Sequence, residues 1–124
     1  MSTLNVATVK SLSSSAPVFQ NTSGVEKGQL AKAWVNFDGT HDTSPYTIAN
    51  GGIRDSFNVS SVTDVTTGRY TVNLTTAMSN SNYCVISSGH LFETTVTGNA
   101  REVGANNLTT SSYMLNVTYN GSTN

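Results

Sequence analysis

Apolar and polar residues alternate over four stretches of this chain, the period-two pattern of strands with one buried face. Ala31, Ala33, Val35 and Phe37 share one face, with Lys32, Trp34 and Asn36 on the other. Ile53, Phe57 and Val59 alternate with Arg54, Ser56 and Asn58. Tyr70, Val72 and Leu74 alternate with Arg69, Thr71 and Asn73, and Tyr113, Leu115, Val117 and Tyr119 with Met114, Asn116 and Thr118. Two less regular runs, 83–87 and 91–97, read as strands from their β-branched and aromatic content. No window of about 11 residues sustains a helical apolar period, although 75–80 has room for one helical turn.

Turn chemistry separates these runs. Asp64-Val-Thr-Thr-Gly68 reads as a hairpin loop, Asn50-Gly-Gly52 precedes one strand and Thr97-Gly-Asn99 follows another. The pattern predicts an all-β chain, an antiparallel β-sandwich or jelly-roll-like domain over residues 25–124. Residues 1–24 differ: Leu4, Val6 and Thr8 alternate, then Ser11-Leu-Ser-Ser-Ser15 and Asn21-Thr-Ser-Gly24 interrupt. They read as an extended N-terminal arm for assembly or attachment, ordered by neighbouring chains, with a frayed terminus as the alternative.

Composition sharpens this picture. The apolar fraction of 36% and charged fraction of 10% are both low, against roughly 45–50% and about 25% in average domains. Ser, Thr and Asn fill the gap with about 40% of the residues, a surface that favours strands and turns over helices. Disorder pairs low hydrophobicity with high net charge, and here the formal charge is −1. So lean a core suggests apolar surface buried against copies of the same chain. The basic residues are scattered, leaving no footprint for nucleic acid. No apolar run approaches the ~20 residues of a membrane-spanning helix, so no membrane insertion is expected. The start lacks a basic segment followed by an apolar one, and Cys84 is the only cysteine, so synthesis in a cytoplasm is expected.

Candidate chemistry is sparse. Asp38, His41 and Asp42 lie close together, but within a run of turn formers and without a companion His or Cys pair, so the expectation is a polar loop. His90 has no nucleophile elbow near it, and Glu93, Glu102 and the aspartates show no spacing that marks a carboxylate pair. Cys84, between Tyr83 and Val85, reads as a small buried hydrophobe. Asn-x-Ser/Thr triplets at Asn21, Asn58, Asn73, Asn107, Asn116 and Asn120 are little more than this composition produces by chance. No catalytic residue, metal site or cofactor is assigned, and the chain is expected not to be an enzyme. Trp34, opposite an inward face, is left to solvent, a ligand or a subunit interface, with the interface favoured over a sugar-stacking platform.

The segments Gly28-Gln-Leu-Ala-Lys-Ala-Trp-Val-Asn-Phe-Asp-Gly39, Ile53-Arg-Asp-Ser-Phe-Asn-Val-Ser-Ser61 and Gly68-Arg-Tyr-Thr-Val-Asn-Leu74, with Ala77-Met78 and Asn82-Tyr83, form a set. That set resembles the tail-fibre and appendage domains of tailed phages, especially those of cyanobacteria. The opening Thr3-Leu-Asn-Val resembles the N-terminal arms of such virion proteins. The resemblance covers about half of the chain. It implies a virion structural protein made in the host cytoplasm, a β-rich homotrimer that packs against other virion proteins and often contacts the host surface, including its glycans. Leu4, Val6 and Trp34 are then the candidate interface residues. The chain departs from the family by inserting 40–52, expected to be an exposed loop whose His41 and Tyr46 are the candidate ligand-facing groups. A capsid decoration protein and a free-standing carbohydrate-binding, lectin-like module are the alternatives.

Overall fold

The computed structural model describes residues 6, 8–10, 19–28, 30–89 and 101–119. The chain divides into two compact units, Met1–Ala31 and Lys32–Asn124.

In the first unit β1 (Phe19–Gln20) and β2 (Glu26–Gly28) pair antiparallel. The Asn21 side chain builds the turn between them, its Oδ1 accepting from the amides of Ser23 at 3.1 Å and Val25 at 2.9 Å. An Asx turn of this kind is what a short amide side chain does well. The hairpin lies wholly within this unit. None of the buried apolar residues described belongs to this unit.

The second unit holds two antiparallel sheets. β3 (Trp34–Phe37) pairs with β4 (Ile53–Phe57), and β5 (Val59–Thr66), β6 (Arg69–Leu74), β7 (Arg101–Asn106) and β8 (Ser112–Tyr119) form a sheet in the order β5-β6-β8-β7. The described chain is therefore all-β with antiparallel sheets, as the alternation predicted. Ile53 of β4 shares one core with Val59, Val62, Val72, Leu74, Tyr113 and Leu115 of the larger sheet and with Tyr46, and Val35 and Phe37 of β3 pack against it. Val62 and Val72 are completely covered, each side chain contributing about 1.5–3 kcal/mol by burial.

Four local expectations are corrected. Phe57 does not follow Ile53 inward. The register runs Trp34↔Phe57, Val35↔Ser56, Asn36↔Asp55 and then Phe37↔Ile53, so Arg54 has no opposite residue. That bulge reverses the facing of everything after it, and Phe57 ends 54% exposed beside Trp34. Asn58 then takes φ 56° and turns the chain from β4 into β5. Its amide spans the corner, donating to Lys32 O and Thr76 O and accepting from Thr76 N at 2.7 Å.

The loop expected at 64–68 is shorter than its turn residues suggested. β5 continues to Thr66, which pairs with Arg69 across Thr67-Gly68, and Gly68 supplies φ 75°. No helical turn forms at 75–80, where Met78 N bonds Thr110 O.

The segment 40–52 is not a free loop. Tyr46 exchanges two backbone hydrogen bonds with Val62, at 2.7 and 3.0 Å, and acts as a one-residue strand on the open side of β5. Its ring is 1% exposed. Asn50 closes the turn that follows by accepting from Thr47 N and Gly52 N and donating to Pro45 O. Gly52 lies so close that a Cβ there would stand 2.7 Å from the Tyr46 Cβ.

Candidate functional site

Two regions of the second unit gather polar or aromatic side chains. The first surrounds Tyr46. Phe37 meets Tyr70 edge-on at 5.3 Å, and Tyr46 lies 6.2 Å from Phe37 and 6.3 Å from Tyr70, an ordinary spacing for packed rings. The Tyr70 hydroxyl donates to Gly39 O at 2.9 Å. The Tyr46 hydroxyl reaches Asp64 Oδ2 at 3.2 Å and Gly39 O at 3.4 Å. It has one proton, and the nearer, charged acceptor has the stronger claim. Burial first, then the hydrogen bond and charge of Asp64, push the Tyr46 phenol up to about 12. Burial, with Asp64 and Asp38, also raises Tyr70. Both stay neutral donors at ordinary pH, whereas a general base works best with a pKa near the operating pH.

The acidic cluster is occupied by its own loop. Asp38 accepts from the Thr40 hydroxyl at 2.7 Å, the Thr40 amide at 3.0 Å and Arg54 Nη2 at 3.1 Å. The two Thr40 bonds are the main reason its carboxyl sits below its usual value, with Arg54 and His41 adding to them against partial burial. His41 meets the Tyr46 ring edge-on at 5.8 Å, and its Nδ1 accepts from Thr43 N at 3.2 Å. Among the described residues, no three His, Cys, Asp or Glu side chains converge as metal ligands.

The second region is a groove of about 1220 Å³ beside β3. Tyr70, Val103, Tyr113, Leu115 and Val117 of the larger sheet form its floor, and residues 33–40 and 83–89 line it on either side. Segment 83–89 alternates like a strand but joins no ladder. Side chains hold it instead: Tyr83 donates its hydroxyl toward Thr109 O and Ser112 O at 2.8 and 3.0 Å, and Ser87 Oγ donates to Val103 O at 3.0 Å. Tyr83 also meets Tyr113 edge-on at 6.4 Å, and burial raises both phenols. Tyr83 and Val85 take the inward positions. Cys84 is therefore exposed rather than buried, and Ile86 is 96% exposed.

Of the residues singled out in the sequence, the structure brings His41 and Tyr46 into contact. Tyr46 belongs to the core and cannot present its ring to a ligand, because the strand-like bridge to Val62 turns it inward. His41 packs on it within the same loop. Trp34 is 45% exposed on the outer face of β3, with Asn36, Asp55 and Phe57 exposed on the same side of the ladder. Val6 is exposed in the first unit. Leu4, His90, Glu93 and the strand expected at 91–97 lie outside the described residues, as does the Glu102 side chain. Sequence reasoning missed the groove and the part played by Asn58. For the latter, the sequence shows only an asparagine between Phe57 and Val59, where a strand pattern accepts any polar residue.

Comparisons with protein-family models, with curated proteins and with solved structures found no match to this chain.

Proposed function

We propose that this chain is a non-enzymatic structural component of a bacteriophage virion, a fibre or other appendage built as a homotrimer. In this reading the second unit is a sandwich-like β domain that works by packing against copies of itself and other virion proteins. Leu4 and Val6 of the first unit and Trp34 of the second are among the contact residues, and the chain joins the virion after synthesis in the host cytoplasm. The observation that carries the assembly part is the open groove, along which Ile86 is 96% and Trp34 45% exposed. Apolar surface of this kind, left uncovered on a single chain, is characteristic of interaction sites. The phage attribution rests on the sequence resemblance.

Sedimentation equilibrium at micromolar concentration, with mass spectrometry of virions purified from the encoding phage, tests the reading. A stable trimer present at a few copies per particle is expected. A copy number near that of the capsid protein would replace the appendage by a decoration protein, and a monomer absent from virions would refute the proposal.

A carbohydrate-binding module is the second reading. It is favoured by the exposed Trp34–Phe57 pair with Asn36 and Asp55 beside it, since aromatic faces stack on sugar rings while amides and carboxylates bond their hydroxyls. Glycan binding by a monomer, abolished by Trp34→Ala with the fold intact, would establish it.

A further inference from the structure

We propose that the groove is a slot for one extended β-strand supplied by a second copy of this chain. The pattern of lining residues carries the inference. On the floor, β8 contributes Tyr113, Leu115 and Val117, every second residue, which is a sheet presenting one face. On the two walls the lining residues are consecutive, 33–40 and 83–89, so both side-chain parities border the space. Consecutive residues border a gap when the chain turns its backbone edge toward it.

Both walls have hydrogen-bonding capacity to spare. Among the described residues β3 is paired only with β4, and its other edge is open. Among the described residues, the backbone of 84–89 makes no hydrogen bond at all. Unpaired edges are normally blunted by Lys, Pro or a bulge. Residues 83–89 contain neither a charge nor a proline. A strand entering the slot would bond to both walls and lay alternate side chains on the apolar floor, the strand-addition mode of recognition.

Charge points to the occupant. Among the described residues, Asp38 and Arg54 are the only charged ones lining the slot, and they pair with each other at 3.1 Å. The slot is therefore neutral and offers nothing to a charged peptide. The chain itself carries matching material, with no Asp, Glu, Lys or Arg in 2–9 or 11–18. A second copy brings such strands at equal stoichiometry without like-charge repulsion. The inference rests on the assembly reading in requiring that second copy.

Cys84, exposed in the single chain and lining the slot, is a built-in probe. Its alkylation by N-ethylmaleimide is followed in the full-length protein alongside sedimentation velocity, across a dilution series. The expected result is an oligomer in which the thiol reacts about tenfold or more slowly than in the diluted monomer, since burial of an edge protects it as it protects exchangeable amides. Successive N–H groups point to opposite edges of a strand, so the double variant Ile86→Pro/Gly89→Pro removes one donor from the slot side whichever parity faces it and spares the Ser87 anchor. That variant should retain its β circular dichroism and sediment as a monomer. An oligomer with a freely reacting Cys84, undisturbed by the prolines, would overturn the slot and leave the assembly reading standing. A monomer with a reactive thiol at every concentration overturns both. A monomer with a protected thiol means the chain fills its own slot, and also overturns the second-copy assignment.

Discussion

Replacing Tyr46 tests whether segment 40–52 is part of the core. Truncation to Ala removes a ring that is 1% exposed and packs among Phe37, Tyr70 and His41. Aromatic-to-Ala changes at such sites cost about 3–5 kcal/mol. Tyr46→Phe keeps the ring and removes only a hydroxyl that bonds Asp64 at 3.2 Å. Asp64 is exposed and regains water, so this change costs about 0.5–1.5 kcal/mol. A domain of this size is held by about 5–15 kcal/mol in all, and each kcal/mol shifts Tm by about 4 °C or more. Tyr46→Ala should therefore lower Tm by about 12 °C or more, and Tyr46→Phe by no more than half as much. Urea unfolding followed through Trp34 fluorescence, at fixed protein concentration, gives both free energies, with a changed midpoint and unchanged slope. A cost below about 1 kcal/mol for the alanine variant, or equal costs for the two variants, would refute the placement of this ring in the core.

Asn58 separates backbone from side-chain effects: Asn58→Ala loses the amide's bonds and strains φ 56°, whereas Asn58→Gly loses only the bonds, so urea unfolding should find glycine the milder by about 1 kcal/mol. Gly52→Ala places a Cβ 2.7 Å from the Tyr46 Cβ and should destabilise by about 1–3 kcal/mol in the same assay. At alkaline pH the sign follows from phenols that ionise later in the folded chain than in the unfolded one. Tyr46 is pushed up to about 12 and Tyr70, Tyr83 and Tyr113 are raised, against about 10 unfolded. Their contribution is complete below pH 10 and disappears as pH rises toward 12, so the urea midpoint should fall over that window, and in Tyr46→Phe the late tyrosinate absorbance step should shrink.

Alternation made β6, β8 and the inner face of β3 legible, because Tyr70, Val72, Leu74, Tyr113 and Leu115 each lie where a period of two places them. It failed where the backbone departs from regular pleating. The Arg54 bulge is invisible in a hydrophobicity pattern, since an extra residue changes facing without changing composition. Tyr46 was misplaced for a related reason. A one-residue bridge has no period, and the Pro and Gly around it are what an exposed loop would also contain. The groove could not be read either. Its lining comes from residues 33–40 and 83–89, and nothing local in either run says that the two border one space.

The bulge at Arg54 acts as a parity switch. Its single surplus residue decides that Phe57, not Ser56, stands beside Trp34 on the outside. Paired without the bulge, the same residues would send the phenyl ring inward and set the Ser56 hydroxyl next to the tryptophan; with Arg54 removed, the ladder would run unbroken and Phe57 would still stand opposite Trp34. One string of letters in two registers would offer a partner opposite surfaces, while the chain one residue shorter would offer the same one. For chains of this kind, recognition follows the register of a strand more closely than its composition.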